Sequence, residues 1–280
     1  MTRRSFVALG VGTAGVGYTQ RCSVVGDLEI LPFSSAVFPS PRSLRIFLPP
    51  HYRTDSGRRY PVLYLNDGQN LFNACTSLYG TDEWRVDETV TQLIEEGRIA
   101  PLIVVGIDNG GRALRPKEYL PWGDDTLQPP VADPQGELYP RFLLDEVVPF
   151  VEQRYRVRPG AANRALGGSS YGAGIALYTL VRRPGSFGGL LLQSPSVYAN
   201  DYHLLKEAAK VRRWPQRVYI GTGTVQEPVG DVHKLEAMFQ GAGLGPGRLK
   251  VVVQEGGAHS EKWWAERLPI ALRFLFSAAG

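Results

Sequence analysis

The spacing of hydrophobic positions changes several times along the chain, and each spacing predicts an element. Apolar and polar residues alternate over 27–33 and 43–48, which predicts two antiparallel strands around the turn-rich Phe38-Pro39-Ser40-Pro41. Short, nearly continuous apolar runs are typical of strands buried on both faces, and they cover 61–65, 102–107, 163–166, 187–193, 217–221 and 248–254. Helical spacing covers 86–96, 142–155, 175–181, 202–210, 231–239 and 263–276.

Strands and helices therefore alternate along most of the chain. This order predicts an α/β fold in which a mostly parallel central sheet carries helices on both faces and binds ligands above the carboxyl ends of its strands. Residues 27–280 are expected to form one domain. The segment 109–138, rich in Gly, Pro and Asp, is expected to form an excursion above the sheet.

The densest cluster of small residues lies between a predicted strand and a predicted helix. Within it, Gly168, Ser170 and Gly172 form the pattern G-x-S-x-G of a nucleophile elbow. The motif alone is weak in a chain with 32 glycines, because a glycine-rich turn without chemistry also satisfies it. The order strand, tight turn, helix favours the elbow. It makes Ser170 the candidate nucleophile and directs the Tyr171 N–H at a developing oxyanion.

One histidine is placed to act as the base. His259 follows a late predicted strand, on the small-residue loop 255–260, which would carry an imidazole to the carboxyl edge of the sheet. His203 and His233 fall in or beside predicted helices, and His51 follows two prolines, so these three are expected to have surface or helix-face roles. An ordinary loop histidine is the alternative for His259, but the chain order Ser, acid, His favours a triad.

The acid of such a triad is expected after the strand that precedes His259. Two carboxylates lie there, Glu227 and Asp231. We choose Glu227, which would accept the imidazole Nδ1–H and stabilise the imidazolium. Asp231 is the rival, although it also suits a helix N-cap.

A second oxyanion donor is expected from the loop after the third strand, Asp67-Gly68-Gln69. The Gln69 backbone N–H is the expected donor because Gly68 would let the chain turn sharply beneath it. A buried turn with no catalytic task is the alternative.

Composition narrows the class of protein. With 280 residues, 43% of them hydrophobic, the chain can bury one sizeable core. The net charge of +4 comes from scattered arginines without an aromatic-interleaved basic stripe, so no nucleic-acid partner is expected. The sequence has neither a C-x-x-C nor an H-E-x-x-H pattern, and no metal or organic cofactor is expected.

The first residues resemble a targeting segment. Arg3 and Arg4 precede a mild apolar run, so residues 1–26 are predicted to hold a twin-arginine export signal and a disordered N-terminus, with the protein periplasmic or extracellular. A poorly ordered basic N-terminus is the alternative, and the protein would then be cytoplasmic. The run is too short to span a bilayer, so no stable membrane insertion is expected. If the protein is exported, its two cysteines, Cys22 and Cys75, could pair.

Five separated segments also form an ordered set. They are PVLYLNDGQNLF at 61–72, EWRVDE at 83–88, RPKEYLPW at 115–122, GSSYGA at 168–173 and AHSEKWW at 258–264. Together they resemble the putative esterase family of α/β hydrolases, and the resemblance runs from about residue 27 to the C-terminus. This family includes enterochelin-esterase-like enzymes, feruloyl and acetyl-xylan esterases, S-formylglutathione hydrolase and the mycolyltransferases.

The resemblance implies an α/β-hydrolase fold and a serine carboxylic-ester hydrolase. It makes Ser170 the nucleophile and His259 the general base, with the N–H groups of Gln69 and Tyr171 as the oxyanion hole. The chemistry would pass through an acyl-enzyme.

Two further residues are less regular. The family usually places the acid at the position of Gln226, so Glu227 requires a shift of one residue. Arg115 matches an arginine that faces the substrate in siderophore-esterase relatives, and a solvated loop arginine is the alternative.

The sequence leaves the ester itself open. Trp84 and Trp122, together with 109–138, would line an acyl or aromatic pocket, and core or lid packing is the alternative for both tryptophans. Candidate substrates are a siderophore trilactone, feruloylated or acetylated polysaccharide, and small acyl esters. Acyl transfer to a sugar or alcohol, or a catalytically silent binding protein on the same fold, are the rival functions.

Overall fold

The protein is described by a computed structural model that covers residues 22, 24–80, 82–125, 127–131 and 133–277. The strands are β1 (Asp27–Phe33), β2 (Arg42–Leu48), β3 (Val62–Asn66), β4 (Ile103–Ile107), β5 (Arg164–Ser169), β6 (Gly189–Gln193), β7 (Arg217–Val225) and β8 (Leu249–Ala258). The helices are α1 (Val86–Glu95), α2 (Arg115–Tyr119), α3 (Tyr139–Arg141), α4 (Val148–Arg154), α5 (Tyr171–Arg182), α6 (Ala199–Ala208), α7 (Val229–Gly241) and α8 (Glu261–Phe276).

All eight strands form one sheet in the order β1-β2-β4-β3-β5-β6-β7-β8. β2 is antiparallel to both β1 and β4, and every other neighbouring pair is parallel. The predicted antiparallel opening pair and the predicted mostly parallel sheet are therefore confirmed. In such a sheet the carboxyl ends of β3 to β8 meet at one edge, where the loops that follow them can form a site.

Helices cover both faces of the sheet. On one face α1 and α8 pack against the sheet through Val86, Val90, Trp264 and Leu268, among others. The larger core lies on the other face, under the helices that include α5, α6 and α7. β3, β4 and β6 are buried along their whole length, which explains their uninterrupted apolar sequences.

The segment 109–138 packs more closely than a free excursion. It contains α2, and Trp122 makes an edge-to-face contact with Tyr178 of α5 at a ring-centroid distance of 5.3 Å. The predicted helix over 142–155 begins earlier than expected, because a π-helical turn at Phe142–Val147 joins α3 to α4.

The predicted export signal lies almost entirely outside the described residues, which omit 1–21 and 23. Cys22 is described, and it forms a disulfide with Cys75. Within the described residues, no helix is both long and apolar enough to cross a bilayer.

Candidate active site

Ser170 lies at the corner where β5 ends and α5 begins. Its backbone has φ 56° and ψ −127°, a combination that a residue with a side chain adopts only under strain. The Ser170 N–H donates to the Gln193 carbonyl at 2.9 Å, so β6 supports the corner. This strained conformation lifts the half-buried side chain above the carboxyl edge of the sheet.

The two glycines of the motif are required by close approach. A Cβ on Gly168 would lie 2.7 Å from the carbonyl carbon and oxygen of Gly172, so strand and helix could not meet as they do. A Cβ on Gly172 would lie 2.8 Å from Oδ2 of Asp67, a residue of the neighbouring loop. The two glycines of the pattern are therefore needed because the end of β5, the start of α5 and the loop that contains Asp67 lie in close contact around Ser170.

The Ser170 hydroxyl has a neighbouring serine as its partner. Ser170 Oγ lies 3.3 Å from Ser196 Oγ. Ser170 and His259, both among the described residues, do not share a hydrogen bond. In serine hydrolases, the hydrogen bond between nucleophile and base often forms only when substrate is bound. The missing hydrogen bond therefore does not exclude His259 as the predicted base, and the position of its imidazole is described next.

His259 directly follows β8, and its ring is held by a carboxylate. His259 Nδ1 lies 3.0 Å from Oε2 of Glu227, whose side chain has no exposed surface, whereas the imidazole is 38% exposed. Because an ionised carboxylate can only accept, this contact places the proton on Nδ1 and leaves the Nε2 lone pair free. The ring also contacts Trp264 edge to face, with centroids 5.1 Å apart.

Ser194 binds the other carboxylate oxygen of Glu227. Its hydroxyl donates to Glu227 Oε1 at 2.5 Å and accepts from Trp264 Nε1 at 2.9 Å. Arg267 Nη2 lies 3.4 Å from the same hydroxyl. Both oxygens of Glu227 are therefore engaged, one by the imidazole and one by a serine that is fixed from α8.

The rival carboxylate has other partners. Asp231 Oδ1 accepts from the Tyr202 hydroxyl at 2.9 Å and from Lys234 Nζ at 3.0 Å. Its alternative role as a helix N-cap is wrong, because α7 begins at Val229 and Asp231 lies inside its first turn. Gln226, the residue before Glu227, has a left-handed φ of 55°.

The two backbone N–H groups predicted to bind an oxyanion each lie near the start of a helical turn. Gln69 lies in a short 3₁₀ turn after β3, and Tyr171 is the first residue of α5. Neither N–H has an acceptor among the described residues, as expected for donors at the start of a helical turn. The left-handed residue of the turn is Asp67, with φ 61°, whereas Gly68 is needed because a Cβ there would lie 2.8 Å from the Gly106 backbone.

The expectation that Arg115 faces the substrate stays a prediction, and the structure shows how the side chain is held. Its guanidinium is buried and binds both carboxylate oxygens of Asp67, with Nε–Oδ1 and Nη2–Oδ2 distances of 2.7 Å. Because the guanidinium is buried, the alternative of a solvated loop arginine is wrong. The physical cause is that burial of a cation requires a fixed anionic partner, and Asp67 provides it.

The expectation that Trp84 binds substrate is not supported by its position. Trp84 is only 2% exposed, and its ring packs 5.9 Å from that of Trp264 in the core beneath α1 and α8. Trp122, by contrast, borders a small pocket beside the Ser170 corner. That pocket is lined by Tyr119, Leu120, Pro121, Trp122, Tyr171, Gly174, Ser196, Val197, Ala199, Asn200 and Leu204.

Sequence reasoning missed Ser194, Ser196 and Asp67 as parts of the site. Ser194 and Ser196 follow β6 immediately, so their position at the carboxyl edge of a buried strand was an available signal. Asp67 was noted only as a neighbour of Gln69. Its pairing with Arg115, 48 residues away, has no signal in one sequence.

A mostly parallel sheet with helices on both faces, and a serine at a strained strand-to-helix corner, define the α/β hydrolases as the class of this protein. The chain matches the family described as "Putative esterase" over residues 35–275, and it belongs to that family. It is a carboxylic-ester hydrolase.

Three curated relatives illustrate the range of the family. The chain is 32% identical over 158 residues to the siderophore enterobactin esterase of Emericella nidulans, covering 55% of this chain and 52% of the relative. It is 26% identical to the endo-1,4-beta-xylanase/feruloyl esterase of Xylanibacter ruminicola, covering 90% of this chain but 31% of that protein. It is 22% identical to the uncharacterized protein YbbA of Bacillus subtilis, covering 84% and 92%.

Solved structures show the same fold. A ferulic acid esterase superposes with a TM-score of 0.69 at 20% identity, covering 91% of this chain and 98% of that chain. The enterobactin esterase FES from Shigella flexneri superposes with a TM-score of 0.69 at 18% identity, covering 92% and 62%. The α/β-hydrolase prediction and the resemblance to this family are confirmed.

Proposed function

We propose that the protein hydrolyses its ester through a serine triad, with Ser170 as nucleophile, His259 as general base and Glu227 as the acid. The N–H groups of Gln69 and Tyr171 form the oxyanion hole. The observation that carries this proposal is the strained backbone of Ser170, because strain of this kind persists where a site requires it.

The proposed chemistry uses these groups in two half-reactions. His259 Nε2 takes the Ser170 proton as Oγ attacks the acyl carbon, and the two N–H groups stabilise the oxyanion. The imidazolium, stabilised by Glu227, then protonates the departing alcohol and leaves an acyl-enzyme. Water activated by His259 attacks the acyl-enzyme, releasing the acid and restoring Ser170.

The pocket beside Ser170 suggests which part of the ester it receives. Its walls are mostly apolar, with Trp122, Val197 and Leu204 among them, and Tyr171 and Ser196 join it to the nucleophile corner. We propose that this pocket, whose volume of about 20 Å³ holds no more than about one water molecule, widens to admit the apolar part of the ester while its polar part faces solvent. Small-molecule or carbohydrate-linked esters both satisfy this arrangement.

Labelling with a fluorophosphonate probe tests the nucleophile. Wild-type protein is expected to take up one probe per chain, and Ser170→Ala to take up none and to lose at least about 10³-fold in kcat on p-nitrophenyl acetate. Ser196→Ala is the matched control, because it removes the hydroxyl 3.3 Å from Ser170 Oγ, and it should still be labelled. Labelling that survives in Ser170→Ala and disappears in Ser196→Ala would reassign the nucleophile, and an unlabelled wild type would refute the triad.

A further inference from the structure

A buried ion pair lies between the two segments that carry the proposed oxyanion donors. Asp67 immediately precedes Gly68 and Gln69, and Arg115 begins α2. Their side chains are joined by two hydrogen bonds of 2.7 Å and are only 4% and 10% exposed. Arg115 Nη2 also lies 3.4 Å from the carbonyl oxygen of Ser169, the residue before Ser170. One guanidinium thus contacts both the turn after β3 and the end of β5.

The Asp67 carboxylate is fixed from other directions as well. Asn109 Nδ2 donates to Oδ1 at 2.6 Å, and the same Asn109 accepts at its backbone oxygen from Gln69 Nε2 at 2.9 Å. The backbone N–H of Asp67 donates to the Tyr119 hydroxyl at 3.3 Å. The orientation of the Gln69 turn therefore depends on the same set of contacts that holds Asp67.

The pair also contacts the start of α5. Gly172 is so close that a Cβ there would lie 2.8 Å from Asp67 Oδ2, and the Arg115 guanidinium lies 5.8 Å from the centre of the Tyr171 ring. Burial disfavours the Arg115 cation, but the Asp67 carboxylate outweighs that effect and raises the pKa of Arg115 above its ordinary value. The Arg115 guanidinium therefore stays charged in its buried position.

We propose that Asp67 and Arg115 are positioning residues, which hold the Gln69 and Tyr171 N–H groups in one fixed geometry around the oxyanion. This inference rests on the proposed triad and assigns Arg115 to the framework of the site instead of to the substrate. Oxyanion stabilisation requires preorganised donors, and a misplacement of about 1 Å can cost about 10²-fold in rate. The two parallel hydrogen bonds fix the relative orientation of Arg115 and Asp67, and a lysine cannot form both of them.

Kinetics on a neutral ester distinguish positioning from substrate binding. On p-nitrophenyl acetate, which has no charge for an arginine to bind, Arg115→Met and Asp67→Asn are each expected to lower kcat by about 10²-fold with KM within about threefold. The double variant should be no worse than the poorer single variant, because both changes break one unit. Arg115→Lys should recover part of kcat while its melting temperature stays near that of wild type.

Arg112→Met is the matched control. Arg112 is exposed, stacks on Tyr79 with a distance of 5.1 Å to the ring centre, as Arg115 does at 5.2 Å, and donates to the Leu78 carbonyl instead of to Asp67. This variant should keep kcat within about twofold of wild type.

Two results would overturn the inference. One is an Arg115→Met variant with unchanged kcat on the neutral ester, and the other is a loss confined to KM and absent from Asp67→Asn, which would make Arg115 a substrate-binding residue. Should Arg115→Met fail to fold, Arg115→Lys decides between the same outcomes. A wild type that neither turns over esters nor reacts with fluorophosphonate would instead refute the triad itself, and the inference with it.

Discussion

At the scale of single residues, the site depends on side chains whose partners lie far away in the sequence. Glu227 contacts both His259 and Ser194, and these three residues come from three different loops of the carboxyl edge. In the proposed triad, a carboxylate so placed sets the tautomer of the imidazole and stabilises the cation that forms during attack. Asp231, four positions further on, is committed to Tyr202 and Lys234.

The activities of Glu227→Gln and Asp231→Asn should therefore show which of the two carboxylates acts in the triad. The amide keeps the size of the side chain but can leave the imidazole in the wrong tautomer, so kcat on p-nitrophenyl acetate is expected to fall by about 10²–10⁴-fold. Asp231→Asn is the matched control and should stay within about threefold of wild type. Equal losses in both variants, or a larger loss in Asp231→Asn, would contradict the assignment of Glu227.

At the scale of elements, two carboxyl groups near the start of α1 lie outside the candidate site: Asp87 is buried in the first turn of the helix, and the half-buried Glu83 lies three residues before it. Burial raises the pKa of Asp87 well above its ordinary value, and the Val25 N–H donates to its Oδ2 at 2.6 Å. Burial, together with the nearby charge of Glu88, raises the pKa of Glu83 to about 7. The folded protein therefore binds protons between about pH 4 and pH 7 that the unfolded chain has released.

The sign of the resulting pH dependence is fixed. Because the pKa of each acid is raised on folding, the stability linked to these protons is present at low pH and is lost as the pH rises through about 7. The melting temperature of wild type should fall from pH 5 to pH 8. The decrease in Asp87→Asn should be smaller than that of wild type by at least about 2 °C, because the amide does not ionise.

Melting curves of Glu95→Gln provide the control for that prediction. Glu95 belongs to the same helix but is exposed, so its variant should reproduce the wild-type dependence on pH. If Asp87→Asn and wild type lose the same amount between pH 5 and pH 8, the buried carboxyl group is not the cause.

At the scale of the whole molecule, the Cys22–Cys75 disulfide joins the segment before β1 to the loop that follows the Gln69 turn. The two cysteines are separated by 53 positions in the sequence. A crosslink across that distance restricts the unfolded chain and should contribute about 2–4 kcal/mol to the free energy of unfolding.

Urea unfolding with and without dithiothreitol tests this contribution. Reduction should lower the free energy of unfolding of wild type by about 2–4 kcal/mol, and the double variant Cys22→Ser and Cys75→Ser should equal reduced wild type. The double variant itself should not respond to the reductant. An unchanged wild-type curve, with reduction verified by thiol titration, would show that the crosslink does not stabilise the fold.

Most strands and helices, and the edge of the sheet that carries Ser170 and His259, could be predicted from the sequence alone. Hydrophobic periodicity is local, so the strands and helices follow from residues near each other, and chain order alone puts the loop after β5 and the loop after β8 on one edge. The sequence also restricted the acid to two carboxylates in one loop, Glu227 and Asp231.

The partners of individual side chains became known from the folded structure. Arg115 pairs with Asp67 and Trp84 packs against Trp264, because the fold brings together residues that no local pattern connects. Whether a polar or aromatic side chain meets solvent, a counter-ion or the core depends on the segments packed around it. Those segments come from distant parts of the chain, and local patterns in a single sequence do not show which of them will be in contact.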